Sequence, residues 1–419
     1  ITVPSVNSVT DEGAFTSTTN IIIATVSVNA TSILASPVAH YIFSIGSYLG
    51  GNDIANELTT TNATIRFAVS PPLQDGQTYY FRVKAVNSIG GPSPAKDSDG
   101  ITVDLGKPVI TNVFDEGVAT NSTTQLAASW NATISSSPII KYEVAVTTNA
   151  SAAAGDLIWT SVGLNTDMTI TGLTLLNNTK YYIAVRALSS SKIYSDPKFS
   201  DGITIDRFTP TMDSVVDGGN YTATTTSITA VFNVDANSIG ASGITSYTYW
   251  IGSSSGGSEV VSATATTNKI IMHKGISLTN GSTYYISAYA TNGFGVTSNT
   301  KTSDGIIVDV NIPKIISVID AGEFTKLNTS ITVTVNVDQA SLGGSTVSTY
   351  SYTIGTSSGG TDAVSVTTTN SNVITHTFTL DNAKTYYVNV QLFTSNGKES
   401  EIVFTDGITV DTVTPVVTV

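Results

Sequence analysis

Pairs of adjacent tyrosines recur along this chain at nearly constant intervals. They lie at Tyr79-Tyr80, Tyr181-Tyr182, Tyr284-Tyr285 and Tyr386-Tyr387, at steps of 102, 103 and 102 residues. An Asp-Gly dipeptide followed by an Ile-rich segment keeps the same steps, at Asp99-Gly100, Asp201-Gly202, Asp304-Gly305 and Asp406-Gly407. Two motifs that repeat in phase indicate four copies of one module. A tandem array of modules favours a role that needs length and surface over a role that needs an active site.

The phase of the repeat divides the chain into four modules and a short tail. We place module 1 at residues 1–104, module 2 at 105–206, module 3 at 207–309 and module 4 at 310–411. Each module is long enough to bury a hydrophobic core of its own. The remaining residues, 412–419, are then the opening strand of a further module or a strand that pairs with a neighbouring subunit.

Composition favours strands and an extracellular location. Val, Ile, Thr and Tyr are plentiful, whereas the helix formers Lys, Glu and Leu are scarce. Charged residues make up 12% of the 419 residues, a level common in secreted, β-rich surface proteins. Cysteine is absent, so we expect no disulfide, thiol nucleophile or thiolate metal site.

The net charge of −13 excludes one class of partner. A chain with 31 acidic and 18 basic residues repels a phosphate backbone, so nucleic acid is not expected to bind. The sequence has no apolar run of the roughly 18 residues that a spanning helix needs, and we expect no insertion into a membrane.

The segment around each tyrosine pair has the two-residue period of a half-buried strand. Starting at Tyr79, the residues Phe81, Val83 and Ala85 alternate with more polar ones. A leucine precedes the first tyrosine by six residues in every copy, and a polar turn lies between them. The four leucines are Leu73, Leu175, Leu278 and Leu380.

A leucine, a turn and a tyrosine that opens an alternating strand resemble the E–F corner of fibronectin type III and related immunoglobulin-like (Ig-like) sandwiches. Trp130 is similar to the strand-B tryptophan of that family, and each copy has a tyrosine in place of its strand-C tyrosine, at Tyr41, Tyr142, Tyr247 and Tyr350. The resemblance covers all four modules. It implies an all-β fold of four tandem Ig-like β-sandwiches, in which the corner tyrosine hydroxyl bonds to nearby backbone.

A short seam joins each module to the next. In the first seam, the strand Ile101-Thr102-Val103 closes module 1 and a strand led by Pro108 opens module 2. Only about three residues are predicted between the two strands, so we expect an elongated rod with little hinge motion.

Two segments, 252–256 and 355–359, match the G-x-S-x-G pattern of serine hydrolases. A nucleophile elbow needs a strand–turn–helix setting and a histidine partner. Both segments follow a Tyr-rich strand and continue into another glycine, which favours a hairpin loop. His273 and His376 are repeat equivalents in separate modules and His40 stands alone, so we assemble no catalytic constellation and predict that the chain is not an enzyme.

Acidic residues cluster at the predicted seams. Because Ca²⁺ prefers carboxylate oxygens, these residues are candidates for calcium sites of the kind found in cadherin-like rods, and no other cofactor is expected. The alternative is that each Asp-Gly makes a turn while the other acids are solvated. The candidates are Asp99, Asp104, Asp115, Glu116, Asp201, Asp206, Asp217, Asp304, Asp309 and Asp320.

Nine Asn-x-Ser/Thr sequons are candidate glycosylation sites, although composition alone would produce a similar number. A surface rich in Ser, Thr and Asn and poor in charge favours attached glycans as a further source of solvation. The nine are Asn29, Asn62, Asn121, Asn131, Asn149, Asn177, Asn220, Asn280 and Asn328.

The tail from Thr412 onward has the sequence of an opening strand without its module. Such a strand exposes unpaired backbone and apolar side chains that can pair with another chain. The residues predicted to make this assembly contact are Pro415, Val416, Val417 and Val419. The alternative is that the chain is an excerpt of a longer array.

These observations predict a structural role, as a subunit or segment of an extracellular filament, sheath or stalk assembled head to tail from copies of itself. The alternative is a cell-surface adhesin or glycan-binding protein in which the modules serve as a stalk, with glycans as the partner.

Overall fold

The computed structural model describes residues 3–34 and 36–416 of the chain. This part of the chain contains β-strands and four short 3-10 helices, and no α-helix. It divides into two compact units, one that ends at Arg207 and one that begins at Phe208. Each unit contains two modules, and each module folds as two β-sheets that enclose a hydrophobic core. The predicted all-β fold of four tandem Ig-like sandwiches is therefore confirmed.

The strands of the first unit follow one order in both modules. Those of module 1 are β1 (Val6–Asp11), β2 (Phe15–Thr16), β3 (Ile21–Val28), β4 (Val38–Gly46), β5 (Ala55–Thr60), β6 (Thr64–Ala68), β7 (Thr78–Asn87), β8 (Lys96–Asp97) and β9 (Ile101–Val103). Those of module 2 are β10 (Val109–Asp115), β11 (Ala119–Thr120), β12 (Gln125–Thr133), β13 (Ile139–Thr147), β14 (Thr160–Gly163), β15 (Asp167–Thr171), β16 (Lys180–Ser189), β17 (Lys198–Phe199) and β18 (Ile203–Ile205).

The second unit repeats this order. Module 3 contains β19 (Met212–Asp217), β20 (Tyr221–Thr222), β21 (Ser227–Val234), β22 (Ile244–Gly252), β23 (Val261–Thr266), β24 (Ile270–Lys274), β25 (Thr283–Asn292), β26 (Lys301–Thr302) and β27 (Ile306–Val308). Module 4 contains β28 (Ile315–Ile319), β29 (Phe324–Thr325), β30 (Ser330–Val337), β31 (Val347–Gly355), β32 (Val364–Thr369), β33 (Val373–Thr377), β34 (Thr385–Thr394), β35 (Val403–Phe404) and β36 (Ile408–Val410). The 3-10 helices are Ala30–Ile33, Ala154–Asp156, Ala236–Ser238 and Gln339–Leu342.

Each module has a three-stranded sheet and a six-stranded sheet. In module 1 the smaller sheet has the order β1-β3-β6, and the larger has the order β2-β9-β7-β4-β5 with β8 paired to β7. Strand β2 runs parallel to β9, and the other pairs are antiparallel. In the lettering of Ig-like domains, β3, β4, β7 and β9 are strands B, C, F and G. The other three modules have the same order.

The first tyrosine of each pair lies in the core with its hydroxyl bonded to backbone, as the E–F corner implies. These four side chains are at most 9% exposed. Each hydroxyl oxygen accepts the backbone N–H of the residue five positions earlier, at 2.9–3.0 Å. The donor–acceptor pairs are Gln74 and Tyr79, Leu176 and Tyr181, Thr279 and Tyr284, and Asp381 and Tyr386. The bond holds the turn before strand F against the core.

The second tyrosine of each pair lies against the glycine of the Asp-Gly dipeptide in the same module. Gly202 has a φ of +92°, and a Cβ added there would lie 2.5 Å from Cε1 of Tyr182. The same contact recurs at Gly100, Gly305 and Gly407, with φ values of +95° to +101°. A positive φ favours glycine, and the ring leaves no room for a side chain. The two motifs that repeat in phase along the sequence are thus in contact in every module.

The seams are longer than the predicted spacing of about three residues. Strand β9 ends at Val103 and β10 begins at Val109, while β27 ends at Val308 and β28 begins at Ile315. A proline precedes each opening strand by one or two residues, and a proline has no N–H to donate to a sheet. The closing strand of module 1 ends at Val103 as predicted, and the seam is longer because the opening strand begins only at Val109, after the proline.

We predict that Gly202→Ala destabilises module 2 more than Gly117→Ala. Both glycines have a positive φ, of +92° and +104°, so both substitutions strain the backbone. A new Cβ at Gly202 would also meet the ring of Tyr182, whereas nothing in the described chain lies within 4 Å of a Cβ at Gly117. We expect an additional loss of about 1–3 kcal/mol at Gly202, measured by hydrogen exchange of module 2. Equal losses would show that the tyrosine contact does not require glycine.

We predict that Tyr181→Phe lowers the unfolding free energy of module 2 by about 1–3 kcal/mol, because the part-buried bond from the Leu176 N–H to the Tyr181 hydroxyl is lost. The matched control is Tyr182→Phe, which removes a hydroxyl from the neighbouring ring and should have little effect. Hydrogen exchange read by mass spectrometry resolves the amides of β16 in both variants. The same loss of protection in both would contradict a specific role for the corner bond.

Candidate functional site: the junction between modules

The predicted seam acids fall into two groups in the structure. Asp104 and Asp309 follow the closing strands of modules 1 and 3, and each is at most 2% exposed. The aspartates at the end of the first strand of a module make their contacts within that module instead. Asp115 accepts the backbone N–H of Gly117 and that of Gly202, both at 3.1 Å. The first group joins modules, whereas the second ties the opening strand of a module to the turn before its closing strand.

Asp104 connects module 1 to the loop between strands B and C of module 2, which we call the B–C loop. Its Oδ2 accepts the backbone N–H of Ser137 and the hydroxyl of Ser135, both at 2.8 Å. Its Oδ1 accepts the N–H of Gly106 at 3.0 Å, which shapes the linker that leaves module 1. One carboxylate therefore orients the linker with one oxygen and binds the next module with the other.

Asp309 makes the equivalent connection in the second unit. Its Oδ2 accepts the N–H of Ser345 in the B–C loop of module 4, and its Oδ1 accepts the N–H of Asn311, both at 3.1 Å. The amide of Asn396 donates to the backbone carbonyl of Asp309 at 3.2 Å. The same joint is thus built in both units from different neighbouring residues.

A turn residue before strand F holds the start of each linker. Leu105, which follows Asp104, donates its N–H to Asp75 Oδ1 at 2.9 Å. In module 3 the N–H of Val310 is donated to Asn280 Oδ1 at 3.0 Å. This bond recurs in the other modules, from Arg207 to Asn177 at 2.9 Å and from Thr412 to Asn382 at 2.8 Å. Each module therefore fixes the direction of the chain that leaves it.

A glycine permits the close approach at each of the two joints, but it comes from opposite sides. At the first joint it is Gly106 in the linker, where a Cβ would lie 2.6 Å from Cβ of Ser135. At the second joint the linker has Asn311, and the glycine is Gly343 in the B–C loop. A Cβ at Gly343 would overlap the amide of Asn311 and lie 2.5 Å from Asp309 Oδ1.

The hydrogen bonds at the first joint control the ionisation of its carboxylate. Burial alone would raise the pKa of Asp104, but hydrogen bonds from Ser137, Ser135 and Gly106 outweigh it and hold the pKa below its ordinary value. Because the pKa is lower in the folded protein, the carboxylate stabilises the joint above the ordinary Asp pKa. This stabilisation is lost as the pH falls through the lowered pKa.

The calcium hypothesis receives no support from the arrangement of these acids. In residues 3–34 and 36–416, no three His, Cys, Asp or Glu side chains are grouped so that they could hold a metal ion. Asp217 and Asp320 accept the N–H of Gly219 and Gly322, each at 3.1 Å. Asp206 is 1% exposed. Four further candidates are exposed, namely Asp99, Glu116, Asp201 and Asp304.

The sequon asparagines are distributed over both units, and glycosylation stays a prediction. Eight of the nine are exposed, and Asn29 is half-buried. Asn29 and Asn149 accept the N–H two residues later, at 3.0 Å each. Asn177 and Asn280 hold the linkers described above.

The segments that match the hydrolase pattern lie in the loops that join β22 to β23 and β31 to β32, and each pair of strands is antiparallel. The glycines that open the two loops, Gly252 and Gly355, lie directly against the backbone of Gly257 and Gly360. In module 4, Thr356 donates its N–H to Asp362 at 2.9 Å and its hydroxyl at 2.7 Å. These glycines therefore close a hairpin.

The two repeat-equivalent histidines each bond to a tyrosine of their own module. Nδ1 of His273 lies 2.8 Å from the hydroxyl of Tyr249, and Nδ1 of His376 lies 2.9 Å from that of Tyr352. Both tyrosines are at most 6% exposed, so each pair joins the two sheets at the edge of the core.

Sequence reasoning missed a cluster of charged and aromatic side chains on module 2. The Arg186 guanidinium lies between the rings of Trp159 and Tyr194, 4.3 Å and 4.1 Å from their centroids. Arg186 Nε donates to Glu143 at 2.8 Å, and Lys141 also pairs with Glu143. The outward positions of β13 and β16 could have suggested the charged pairs. Trp159 and Tyr194 belong to segments outside these strands, whose approach no periodic pattern indicates.

Comparison with known proteins found similar solved structures but no matching sequence family. No protein-family model and no curated protein sequence matches the chain. Among solved structures, the chain is similar to the FN1–FN3 domains of chicken CNTN1, with 16% identity over 72% of this chain and 99% of that chain and a TM-score of 0.34. It is also similar to domains A168 to A170 of titin, with 13% identity over 73% of this chain and 99% of that chain and a TM-score of 0.31.

The strand order and the E–F corners define the class of the protein. It is an array of four tandem β-sandwiches with the strand order of fibronectin type III and related Ig-like domains. Within the described residues, no helix has the length and apolar character needed to cross a membrane.

We predict that Asp104→Ala loosens the first joint and Asp196→Ala does not. Asp104 is buried, and its loss leaves the N–H of Ser137 without its acceptor, at a cost of about 1–3 kcal/mol. Asp196 is 84% exposed and pairs with Lys107 at the surface, where an ion pair contributes little. Hydrogen exchange at the Ser137 amide measures the effect.

The pH dependence separates the charge of Asp104 from its packing. The difference in stability between wild type and Asp104→Ala should be full near pH 7 and should shrink in acid, as the pH falls through the lowered pKa. A difference that does not change with pH would contradict the assignment of the joint to an ionised carboxylate.

Proposed function

We propose that the chain is a structural segment of an extracellular filament, sheath or stalk, assembled head to tail from copies of itself. The joint between modules carries this proposal. In each unit a carboxylate at most 2% exposed binds the next module through a backbone N–H. The carboxylate always belongs to the end of one module and the N–H to the B–C loop of the next. Such a joint has a direction, and a contact with a direction that does not close on itself generates filaments.

The surface composition supports the extracellular part of the proposal. Charged residues are 12% of the chain, while many of its exposed positions are Ser, Thr and Asn. The exposure of eight sequon asparagines leaves room for glycans that would add solvation. Glycosylation at these sites is part of the proposal.

The tail supplies a candidate contact between copies. Residues 411–416 are exposed and lie outside the strands, and Val416 is 84% exposed. Pro415 is in the same exposed segment, whereas Val417 and Val419 lie outside the described residues. We propose that this segment pairs with the exposed edge of a second copy, which would satisfy its backbone groups.

Deleting residues 412–419 tests this proposal. We expect the wild-type chain to form regular fibres in negative-stain images, and the truncated chain to keep four folded modules without forming fibres. The control is Val416→Thr, which keeps the strand propensity of the tail and removes an apolar contact; it should weaken assembly and not abolish it.

Three other results would have different consequences. Fibres from the truncated chain would place the contact elsewhere. Isolated particles from the wild-type chain would contradict self-assembly and favour the adhesin role. A truncated chain with an altered melting profile would show that the tail stabilises module 4 itself.

A further inference from the structure

We infer that a cleft in module 4 binds a neutral sugar, either free or at the end of a glycan. We call it the amide cleft, after the side chains of Gln339, Asn370 and Asn372 at its edge. The polar contacts to the sugar are these three amides and the hydroxyl of Tyr350. The inference goes beyond the proposed structural role and does not depend on self-assembly.

The amide cleft lies where the end of β30 and the start of β31 approach the turn between β32 and β33. Its volume is about 600 Å³, within the range of roughly 300–1,000 Å³ typical of sites for small molecules. Val337 and Val347 contribute apolar surface to the lining, and in the described part of the chain no charged side chain belongs to it. An apolar surface edged by uncharged polar groups matches a sugar ring, which has C–H faces and hydroxyl edges. A charged ligand would lose its hydration there without gaining an ion pair.

Three amide side chains are available to a ligand. Gln339, Asn370 and Asn372 are exposed, and none of their side chains bonds to another residue that the structure describes. An amide side chain both donates and accepts hydrogen bonds, as a pair of neighbouring sugar hydroxyls does. The edge of the cleft can therefore bind several hydroxyls of one ring.

The turn that carries two of these amides is fixed in place. Its Asn372 carbonyl accepts the backbone N–H of Val335 in strand B at 2.8 Å. Ser371 donates its N–H to the hydroxyl oxygen of Thr369 at 3.2 Å, and its own hydroxyl oxygen accepts the N–H of Val373 at 3.2 Å. The amides are thus positioned before a ligand arrives, which lowers the entropic cost of binding.

Tyr350 adds a polar group that lacks a partner in the protein. It lines the cleft from strand C and is only 4% exposed. Among the described residues its hydroxyl has no hydrogen-bond partner, although buried polar groups are nearly always bonded. Burial also raises the pKa of Tyr350, which keeps the hydroxyl protonated and able to donate. A sugar hydroxyl in the cleft would supply the missing partner.

Module 4 differs from the other modules in the side chains around this tyrosine. The strand-C tyrosine recurs in all four modules, and so does the backbone carbonyl that accepts the N–H of strand B. That carbonyl belongs to Ala63, Thr166 and Lys269 in modules 1 to 3 and to Asn372 in module 4. The amide at this position, next to the buried hydroxyl, is therefore a property of module 4 and not of the repeat.

Saturation-transfer NMR on the whole chain tests the inference. The probes are the methyl glycosides of glucose, galactose, mannose and N-acetylglucosamine, with glucuronate as a charged comparison. We expect saturable binding of at least one neutral glycoside. Asn370→Ala combined with Asn372→Ala should raise its Kd at least about tenfold, because two hydrogen-bonding side chains are lost. The matched control is Asn268→Ala, at an exposed asparagine in the corresponding turn of module 3, and it should leave the Kd unchanged.

Tyr350→Phe separates binding from folding. Because the hydroxyl has no partner among the described residues, its loss should leave the melting profile unchanged and raise the Kd about threefold or more. Tyr386→Phe in the same module should do the reverse. Its hydroxyl accepts the N–H of Asp381 at 3.0 Å, so the variant should melt earlier and keep the Kd of wild type.

Immobilised glycans that end in the same sugar distinguish the two sources of the ligand. Retention on them that the double alanine variant loses would assign the cleft to glycan ends, whereas binding of the free glycoside alone would assign it to free sugars.

Three results would overturn the inference. One is no saturable binding of any of the four glycosides. Another is a Kd that stays the same in the double alanine variant and in Tyr350→Phe. The third is tighter binding of glucuronate than of every neutral glycoside, because the cleft would then select a charged ligand. The proposed function is judged separately, by whether wild-type fibres form and need residues 412–419.

Discussion

The contact of the second tyrosine ring with the Asp-Gly glycine determines where each module can meet another. In module 1 the ring of Tyr80 lies against Gly100, whose positive φ turns the chain into strand β9. The strand is three residues long, and Asp104 follows it at once. The neighbouring Tyr79 holds the turn before strand F through its hydroxyl. Because the start of strand F thus holds both the turn before it and the start of β9, the carboxylate of Asp104 has little freedom in position before it meets the next module.

Much of the fold could be predicted from the sequence because its determinants are local or periodic. The alternation that begins at Tyr79 and the leucine–turn–tyrosine pattern lie within about fifteen residues, and the repeat showed both four times. The joint could not be predicted in this way. Ser137 lies 33 residues beyond Asp104, in a loop without periodicity, so the acids looked like a possible metal site. The predicted seam length was also wrong, since the opening strand of module 2 begins only after Pro108, at Val109.

The four cores reach the same architecture with different contacts between the sheets. Trp130 packs edge-on against Tyr142 in module 2, and in module 3 Phe232 takes the position of the tryptophan beside Tyr247. Modules 3 and 4 join strand C to the last strand of the three-stranded sheet (β24 and β33) through a Tyr–His hydrogen bond, where module 1 has an apolar pair of phenylalanines. Hydrophobic cores tolerate exchanges of side chains when the total volume and the apolar pattern are kept. The motifs that repeat in all four modules are therefore those that the backbone geometry requires, such as the corner tyrosine and the Asp-Gly glycine.

The joints combine a common part with a part that distinguishes one joint from another. The carboxylate and the backbone N–H that it binds are common to both, and because a backbone N–H is present in nearly every residue, this bond alone cannot select a partner. The close packing around the bond is what differs. At the first joint the glycine is Gly106 in the linker, where a Cβ would overlap that of Ser135. At the second joint it is Gly343 in the loop, where a Cβ would meet the Asp309 carboxylate and the amide of Asn311. The two joints therefore reach the same carboxylate–amide bond with the glycine on opposite sides, so the side chains around each bond differ while the bond is kept.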